Sequence, residues 1–159
     1  ARARKLRDTG LILHTGADGQ PIPGAVMDVW QSDDDGLYDV QHADLGHAQA
    51  RGIVTADAEG KYHFRSIVAV PYAIPHDGPV GQMLEATGRH PWRPAHLHFM
   101  VKAPGYETLI THVFRDHSDY LDSDAVFGVR QSLVCDWVQQ TDGSYLMEYD
   151  FVLNPTRTR

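Results

Sequence analysis

The sequence has little cysteine and little positive charge. Its single cysteine, Cys135, excludes an internal disulfide and any zinc or iron–sulfur site built from several cysteines. Fourteen lysines and arginines against 21 aspartates and glutamates give a net charge of −7, which argues against nucleic acid or an anionic membrane as a partner. No apolar run reaches the ~20 residues of a membrane span. The basic residues 1–5 are not followed by the apolar segment of a secretory signal, so the sequence predicts a cytoplasmic protein.

The composition is that of a folded globular protein, with 42% apolar and 22% charged residues. A chain of 159 residues can bury a sizeable core, and no internal repeat or linker divides it, so we expect one domain. Short β-branched segments alternate with turns at near-regular spacing, and helical periodicity is almost absent. This pattern predicts an all-β fold, an antiparallel β-sandwich with long irregular loops.

Seven segments have the alternation or the β-branched content of strands. The predicted strands are residues 10–13, 25–31, 52–56, 61–67, 93–101, 108–114 and 144–153. Turn residues 57–60 join two of them, which predicts a β-hairpin of 52–56 with 61–67. The acidic residues 32–36 lack the alternate ligand spacing and the distal glutamate of a calcium loop, so we expect a solvated turn there.

Two long segments, residues 37–52 and 68–92, follow neither a strand nor a helix pattern. Residues 68–92 hold four prolines and three glycines, a density that no continuous element tolerates. A helical turn at 80–86 is the one exception we expect, and residues 125–131 are ambiguous. Long loops in compact domains usually carry function, so the two segments are candidate parts of a site.

Two histidines, His96 and His98, occur two positions apart inside an apolar run. Successive side chains of a strand alternate between its faces, so both imidazoles point to one face. Leu97, Phe99 and Val101 then point to the other. Paired imidazoles on one face are typical of a metal site, although so short a pattern also occurs on strands that bind no metal.

Two tyrosines lie in irregular backbone that can aim a side chain into a site. Tyr38 follows an Asp-Gly-Leu turn, and Tyr72 lies between Pro71 and Pro75. The other tyrosines and the three tryptophans are expected to pack in or around the core. The remaining histidines are expected at the surface rather than as ligands; they are His14, His42, His47, His63, His76, His90 and His117.

Three motifs occur in a fixed order: Gly36-Leu37-Tyr38, Val70-Pro71-Tyr72-Ala73-Ile74-Pro75 and Arg93-Pro94-Ala95-His96-Leu97-His98. Together with residues 19–25 and 29–31, they resemble the motifs of the intradiol ring-cleaving dioxygenases, which are non-haem iron(III) enzymes. The resemblance covers nearly the whole chain. It implies a single catalytic domain over residues 1–159 that opens a small aromatic diol or triol with O2 between two hydroxyls.

The resemblance also implies the metal ligands. By the family pattern Tyr38, Tyr72, His96 and His98 bind Fe(III), and Tyr72 is the axial ligand that leaves as substrate binds. Two phenolates and two neutral imidazoles form a hard, anionic set that suits iron(III) better than zinc. Tyr72 would then serve as a base toward the substrate.

The same pattern gives roles to residues around the metal. Arg93 is placed over the bound ring, where a cation that cannot lose its proton stabilises developing negative charge. His112 occupies a position near the iron where many catechol enzymes have glutamine, and is a candidate catalytic residue. The predicted substrate-binding residues are Ile74, Pro75, Arg93 and Val126.

Residues 108–114 and 120–129 are most similar to the hydroxyquinol 1,2-dioxygenase branch of the family. Hydroxyquinol is benzene-1,2,4-triol, and the expected product is a ring-opened acid that tautomerises to maleylacetate. Catechol or a chlorocatechol is the second choice of substrate. Relatives of this type usually carry a helical segment ahead of the sandwich that forms a dimer, so we expect dimerisation through that segment to be absent here.

Two other classes share parts of the pattern. A cupin-like metalloenzyme would have the histidine pair and a β fold, but would use a carboxylate ligand and a divalent metal. A non-catalytic β-sandwich binding module would explain the strands and turns. It would not explain the arginine, the histidine pair and both tyrosines together.

Overall fold

The computed structural model describes residues 11–15 and 19–157. Short strands dominate, joined by long irregular segments, as the sequence predicts. The elements are β1 (Leu11–Thr15), β2 (Val26–Trp30), β3 (Arg51–Thr55), β4 (Lys61–Tyr62), β5 (Tyr72–Ala73), α1 (Pro79–Ala86), β6 (Trp92–Arg93), β7 (His96–Lys102), β8 (Leu109–Arg115), β9 (Val134–Cys135), β10 (Trp137–Gln139), β11 (Tyr145–Met147) and β12 (Phe151–Leu153). Within the described residues, no helix is long and apolar enough to span a membrane.

Within residues 11–15 and 19–157 the strands form one large sheet and three smaller ones. The five-stranded sheet has the order β3-β2-β7-β8-β9, and a three-stranded sheet has the order β12-β1-β4. The pairs β10-β11 and β5-β6 stand apart. Most pairings are antiparallel, but β1 pairs with β12 and β8 with β9 in parallel. The mostly-β prediction is confirmed, and the expectation of purely antiparallel pairing is wrong at these two places.

One face of β7 lies in the main hydrophobic core. Leu97, Phe99 and Val101 are almost completely buried there, together with residues of β2, β4 and β10 to β12. The rings of Phe99 and Phe151 lie 4.7 Å apart, which brings the central strand of the large sheet against β12. Burying these apolar side chains leaves the opposite face of β7 free for His96 and His98, as the alternation predicts.

The predicted hairpin of residues 52–56 with 61–67 does not form. The turn at 57–60 is present, with Asp57 Oδ1 accepting hydrogen bonds from the backbone of Glu59 and Lys61. However, β3 pairs with β2 and β4 pairs with β1, so the chain changes sheets at this turn. A turn signal gives the chain reversal but not the pairing partner, which is decided by tertiary packing.

The predicted closing strand at residues 144–153 is interrupted. Residues 145–147 form β11 and pair with β10, whereas 151–153 form β12 and pair with β1. Alternation continues through the segment, because Tyr145, Met147, Phe151 and Leu153 are all buried. The alternation of buried and exposed side chains therefore continues from one sheet into the next. For this reason the alternation alone does not show where the chain changes sheets.

The segment 68–92 is mostly irregular, with the helix that the sequence predicts. Helix α1 begins at Pro79, whose missing N–H suits the first helical position. The two-residue strands β5 and β6 also belong to this region and were not predicted. They pair Tyr72 with Arg93, which brings two candidate site residues together.

Candidate metal centre

Three histidines converge on the face of β7 and β8 that points away from the main hydrophobic core. His98 lies directly opposite His112 in the antiparallel register, and their ring centroids are 4.6 Å apart. His96 lies 4.7 Å from His98 and 5.1 Å from His112 by the same measure. One ligand nitrogen from each ring falls within 4.8 Å of the others. The three side chains could therefore share one metal ion.

His96 is oriented by the backbone just before it. Its Nδ1 lies 2.7 Å from the carbonyl oxygen of Pro94, which assigns the ring proton to Nδ1. Nε2 then presents its lone pair to the site, where Arg93 Nη1 lies 3.2 Å away. Burial, with the neighbouring Arg93 cation, lowers the pKa of His96 to about 3. The imidazole is thus neutral at ordinary pH, the form that binds metal.

His98 is held by a tryptophan of the adjacent strand. Trp30 is opposite His98 in the β2–β7 register, and the two rings stack 4.9 Å apart with an interplanar angle of 6°. Burial, with His96 and His112 nearby, lowers the pKa of His98 to about 2. Burial and the Arg93 cation also lower the pKa of His112. All three imidazoles are therefore neutral together.

Tyr38 reaches this cluster from the loop after β2. Its Oη lies 2.6 Å from Nε2 of His98. Burial, with the neighbouring Tyr72, raises the pKa of Tyr38 well above the ordinary value of 10. Because burial disfavours the charged phenolate, Tyr38 is a neutral phenol in the absence of a cation.

The turn before Tyr38 is built on a buried carboxylate. Asp33 Oδ1 accepts hydrogen bonds from the backbone N–H groups of Asp35 and Leu37, and Oδ2 lies 2.7 Å from Nε2 of His42. Only 6% of Asp33 is exposed. The prediction of a solvated turn at residues 32–36 is therefore wrong for Asp33. Its carboxylate instead fixes the path of the chain into Tyr38.

Tyr72 joins the cluster from β5. Its ring lies 5.2 Å from that of Tyr38 and 5.4 Å from that of His96. Arg93 Nη1 donates a hydrogen bond of 3.4 Å to Tyr72 Oη. Gly36 lies against the tyrosine, with a φ of +81° and only 3.1 Å between the position of an added Cβ and Tyr72 Cβ. A residue without a side chain is required for this close approach.

Two of the predicted pocket residues, Ile74 and Pro75, follow Tyr72 closely in the chain, and the third is Val126. Ile74 is half-buried and its backbone N–H donates to the carbonyl of Pro91. Pro75 is exposed, and Val126 is 47% exposed. Val126 is two residues from Asp124, whose carboxylate pairs with Arg93. A pocket wall formed by Ile74, Pro75 and Val126 stays a prediction.

Most of the remaining histidines are at the surface, as expected. His47, His63, His76 and His117 are exposed, and His42 is half-buried against Asp33. His90 is half-buried, with its ring 4.9 Å from that of Tyr120. The side chain of His14 lies outside the described residues.

Two residues of the site were missed by the sequence analysis. Trp30 was expected only to pack, yet it stacks on a candidate ligand. Asp124 received no role, yet it is the buried partner of Arg93. A general signal exists for Asp124, because an aspartate often accepts a hydrogen bond from the backbone N–H two residues on, here that of Val126. No pattern in the sequence indicates which cation it meets.

Comparison with protein-family models identifies the family of this chain. The sequence model of the Dioxygenase_C family, described as dioxygenase, matches residues 9–155. The chain belongs to this dioxygenase family. The resemblance to the intradiol enzymes is thereby confirmed at the level of the family, and the match does not support a cupin-like metalloenzyme.

Named relatives lie in the branch that the sequence favours. The chain is 66% identical over 142 residues to 6-chlorohydroxyquinol 1,2-dioxygenase of Cupriavidus pinatubonensis strain JMP 134, covering 89% of this chain and 51% of the relative. It is 48% identical over 144 residues to hydroxyquinol 1,2-dioxygenase of Rhizobium sp. strain MTP-10005, covering 90% and 48%. The chain thus spans about half the length of the curated relatives it matches.

A solved structure supports the fold. The crystal structure of hydroxyquinol 1,2-dioxygenase from Pseudomonas putida DLL-E4 matches with a TM-score of 0.88 and 39% sequence identity. The match covers 98% of this chain and 58% of that one. The path of this dioxygenase-family chain is therefore close to that of a hydroxyquinol 1,2-dioxygenase over almost all of its length.

Proposed function

We propose that residues 1–159 form the catalytic domain of a non-haem iron(III) intradiol dioxygenase that opens hydroxyquinol or a related catechol with O2. The observation that carries the proposal is the convergence of Tyr38, Tyr72, His96 and His98. These residues come from three segments of the chain, with both histidines on β7, and their rings lie within 4.7 to 5.7 Å of a neighbour in the set. We further propose that the two larger sheets pack as a sandwich, which the shared core around Phe99 and Phe151 supports.

The donor set fits iron(III). The histidines are neutral because burial lowers the pKa of each, so they can give lone pairs to a metal. The tyrosines add two oxygen donors, and burial raises the pKa of Tyr38 when no cation is present. A trivalent cation reverses that effect, since it stabilises the phenolate directly. Hard anionic oxygens beside imidazole favour Fe(III) over softer divalent ions.

Bound iron(III) would supply a Lewis-acidic centre for a deprotonated catechol and would make its ring reactive toward O2. Tyr72 would accept one of the two catechol protons, and its Oη lies beside the Arg93 guanidinium. Arg93 would hold a fixed positive charge next to the substrate. Both residues would act on protons and charge rather than on the fold.

Hydroxyquinol is the substrate we favour over catechol. The relatives at 66% and 48% identity carry the names of hydroxyquinol-type enzymes. A third hydroxyl improves selectivity strongly only where a polar group receives it. His112 is neutral, half-buried and opposite His98, so it is situated to receive that hydroxyl.

Oxygen uptake by the iron(III)-loaded protein tests the proposal. With hydroxyquinol we expect stoichiometric O2 consumption and a ring-opened acid whose mass equals substrate plus two oxygen atoms. The specificity constant for hydroxyquinol should exceed that for catechol. His98→Ala serves as the inactive control, and His63→Ala as a matched exposed histidine that keeps activity. An iron-loaded protein that consumes no O2 with either diol, or that gives an extradiol aldehyde, would overturn the assignment.

A further inference from the structure

The buried carboxylate of Asp124 is hydrogen-bonded both to the Arg93 side chain and to the backbone of residues 126–128. Asp124 accepts hydrogen bonds from Arg93 Nε at 3.0 Å and from Arg93 Nη2 at 3.2 Å. It also accepts from the backbone N–H groups of Gly128 at 2.9 Å and Val126 at 3.3 Å. The side chains of Arg93 and Asp124 are 6% and 2% exposed. Asp124 is therefore saturated with donors and shielded from water.

The pairing leaves one edge of the guanidinium for the metal centre. Nε and Nη2 are occupied by Asp124, so only Nη1 points into the site. Nη1 lies 3.4 Å from Tyr72 Oη and 3.2 Å from His96 Nε2. Because the guanidinium is planar and rigid, fixing two of its nitrogens also fixes the third. The carboxylate thus determines where the positive charge is presented.

The charge state of the pair is consistent with this geometry. Burial raises the pKa of Asp124, but hydrogen bonds from Arg93 and from the backbone outweigh it, and the net pKa is below the ordinary value. Asp124 is therefore an anion that neutralises a buried cation. Removing it would leave Arg93 charged and unpaired, which is strongly unfavourable inside a protein.

The loop of residues 124–128 is also held by a second arginine, Arg89. Arg89 Nη2 donates to the backbone carbonyls of Asp124 at 3.2 Å and Ala125 at 3.0 Å, and its guanidinium lies 3.9 Å from the centre of the Phe127 ring. A Cβ at Gly128 would lie 3.0 Å from Arg93 Nη2. The loop is thus packed directly against the arginine, with Val126 in its middle.

We propose that Asp124 is a positioning residue that directs Arg93 Nη1 toward the substrate and ties the Val126 segment to it. The carboxylate does not touch the metal centre and acts through Arg93. This inference rests on the proposed dioxygenase function for its kinetic consequence. The buried ion pair of Asp124 with Arg93 does not depend on that function. An experiment can therefore contradict the positioning role without contradicting the dioxygenase function, and the reverse.

Asp124→Asn is made in the wild type and in an Arg93→Met variant. Comparing the two tests whether Asp124 acts by positioning Arg93 or only by stabilising the fold. Asp124→Asn should keep iron and the visible absorption of the site while kcat with hydroxyquinol falls by about tenfold or more, with a smaller change in KM. In an Arg93→Met background the same substitution should reduce kcat by less than about twofold, since the group it positions is gone. Asp122→Asn, an exposed carboxylate two residues away, is the matched control and should be unchanged.

Thermal unfolding of the metal-free protein provides a readout without activity. Asp124→Asn should unfold at a lower temperature than the double variant Asp124→Asn/Arg93→Met, because the single variant alone keeps an unpaired buried cation. If Asp124→Asn fails to fold while the double variant folds, that result also supports the ion pair as the reason for the burial of Asp124.

Three outcomes would overturn the inference. An equal loss of kcat in both backgrounds, or loss of iron from Asp124→Asn, would make Asp124 a scaffold residue. A double variant no more stable than Asp124→Asn would remove the ion pair as the reason for its burial. An inactive wild-type protein would overturn the proposed function, and the unfolding comparison would still decide the pair.

Discussion

Tyr38 Oη lies 2.6 Å from His98 Nε2, although the two residues are 60 positions apart in the chain. Both His98 and Tyr38 are positioned by further contacts. Trp30 stacks on the imidazole, and the Asp33 carboxylate fixes the turn that leads to the tyrosine. The contact therefore joins two supported side chains, which is the preorganisation that a metal site needs.

The first prediction concerns the histidine pair. His96→Ala or His98→Ala should weaken iron binding by about tenfold or more, because each removes a neutral nitrogen donor from a four-residue set. Metal content after dialysis measures the effect. His63→Ala removes an exposed histidine and should bind iron like the wild type. Full iron occupancy in both site variants would mean that other residues hold the metal.

The second prediction concerns Tyr72. Tyr72→Phe should retain iron through Tyr38, His96 and His98, yet lose about a hundredfold or more of its turnover, because the base for the substrate is removed. Comparing metal content with rate separates the two effects. Tyr120→Phe, whose ring stacks on Trp92, is the control. Unaltered turnover in Tyr72→Phe would reduce Tyr72 to a packing residue.

The third prediction concerns the glycine beside Tyr72. Gly36→Ala should destabilise the protein by roughly 1–2 kcal/mol, because a side chain is unfavourable at φ +81°. The added Cβ should also displace Tyr72, which is 3.1 Å away, and so lower activity. Gly46→Ala has open space around it and is the matched control. Denaturant unfolding and turnover that match the wild type would contradict this role of Gly36.

Part of the fold and site is predictable from local patterns. Alternation along β7 is enough to separate His96 and His98 from Leu97 and Phe99, since the period of a strand is two. The helical turn predicted at residues 80–86 is observed as helix α1, which begins one residue earlier at Pro79.

Long-range choices were not predictable in the same way. Nothing local distinguishes a hairpin of β3 with β4 from the observed change of sheet, because both use the same turn. The buried environments of Asp33 and Asp124 depend on partners 9 and 31 residues away, which spacing alone does not reveal. Trp30 became a site residue only through its register opposite His98.

The fourth prediction is a pH dependence carried by Asp33. Burial raises its pKa, but hydrogen bonds from Leu37, His42 and Asp35 lower it by more, so the net pKa lies below 3.8. The unfolded carboxylate thus binds protons more readily than the folded one, and its stabilising contribution is present above pH 3.8 and lost as pH falls through the lowered pKa.

Asp33→Asn removes this contribution, so the wild type should be the more stable at neutral pH. The difference in unfolding free energy between the two proteins should shrink as pH falls below 3.8. Chemical denaturation at a series of pH values measures it. A difference that is constant across the series would show that the carboxylate charge plays no part.

The visible spectrum of the iron(III)-loaded protein tests the central claim, that two tyrosines and two histidines form one iron site. Tyrosinate bound to iron(III) absorbs visible light by charge transfer, whereas zinc bound by histidines does not. We expect a red to burgundy protein whose visible band weakens in both Tyr38→Phe and Tyr72→Phe at equal iron content. A colourless wild-type protein with iron at full occupancy would contradict the account.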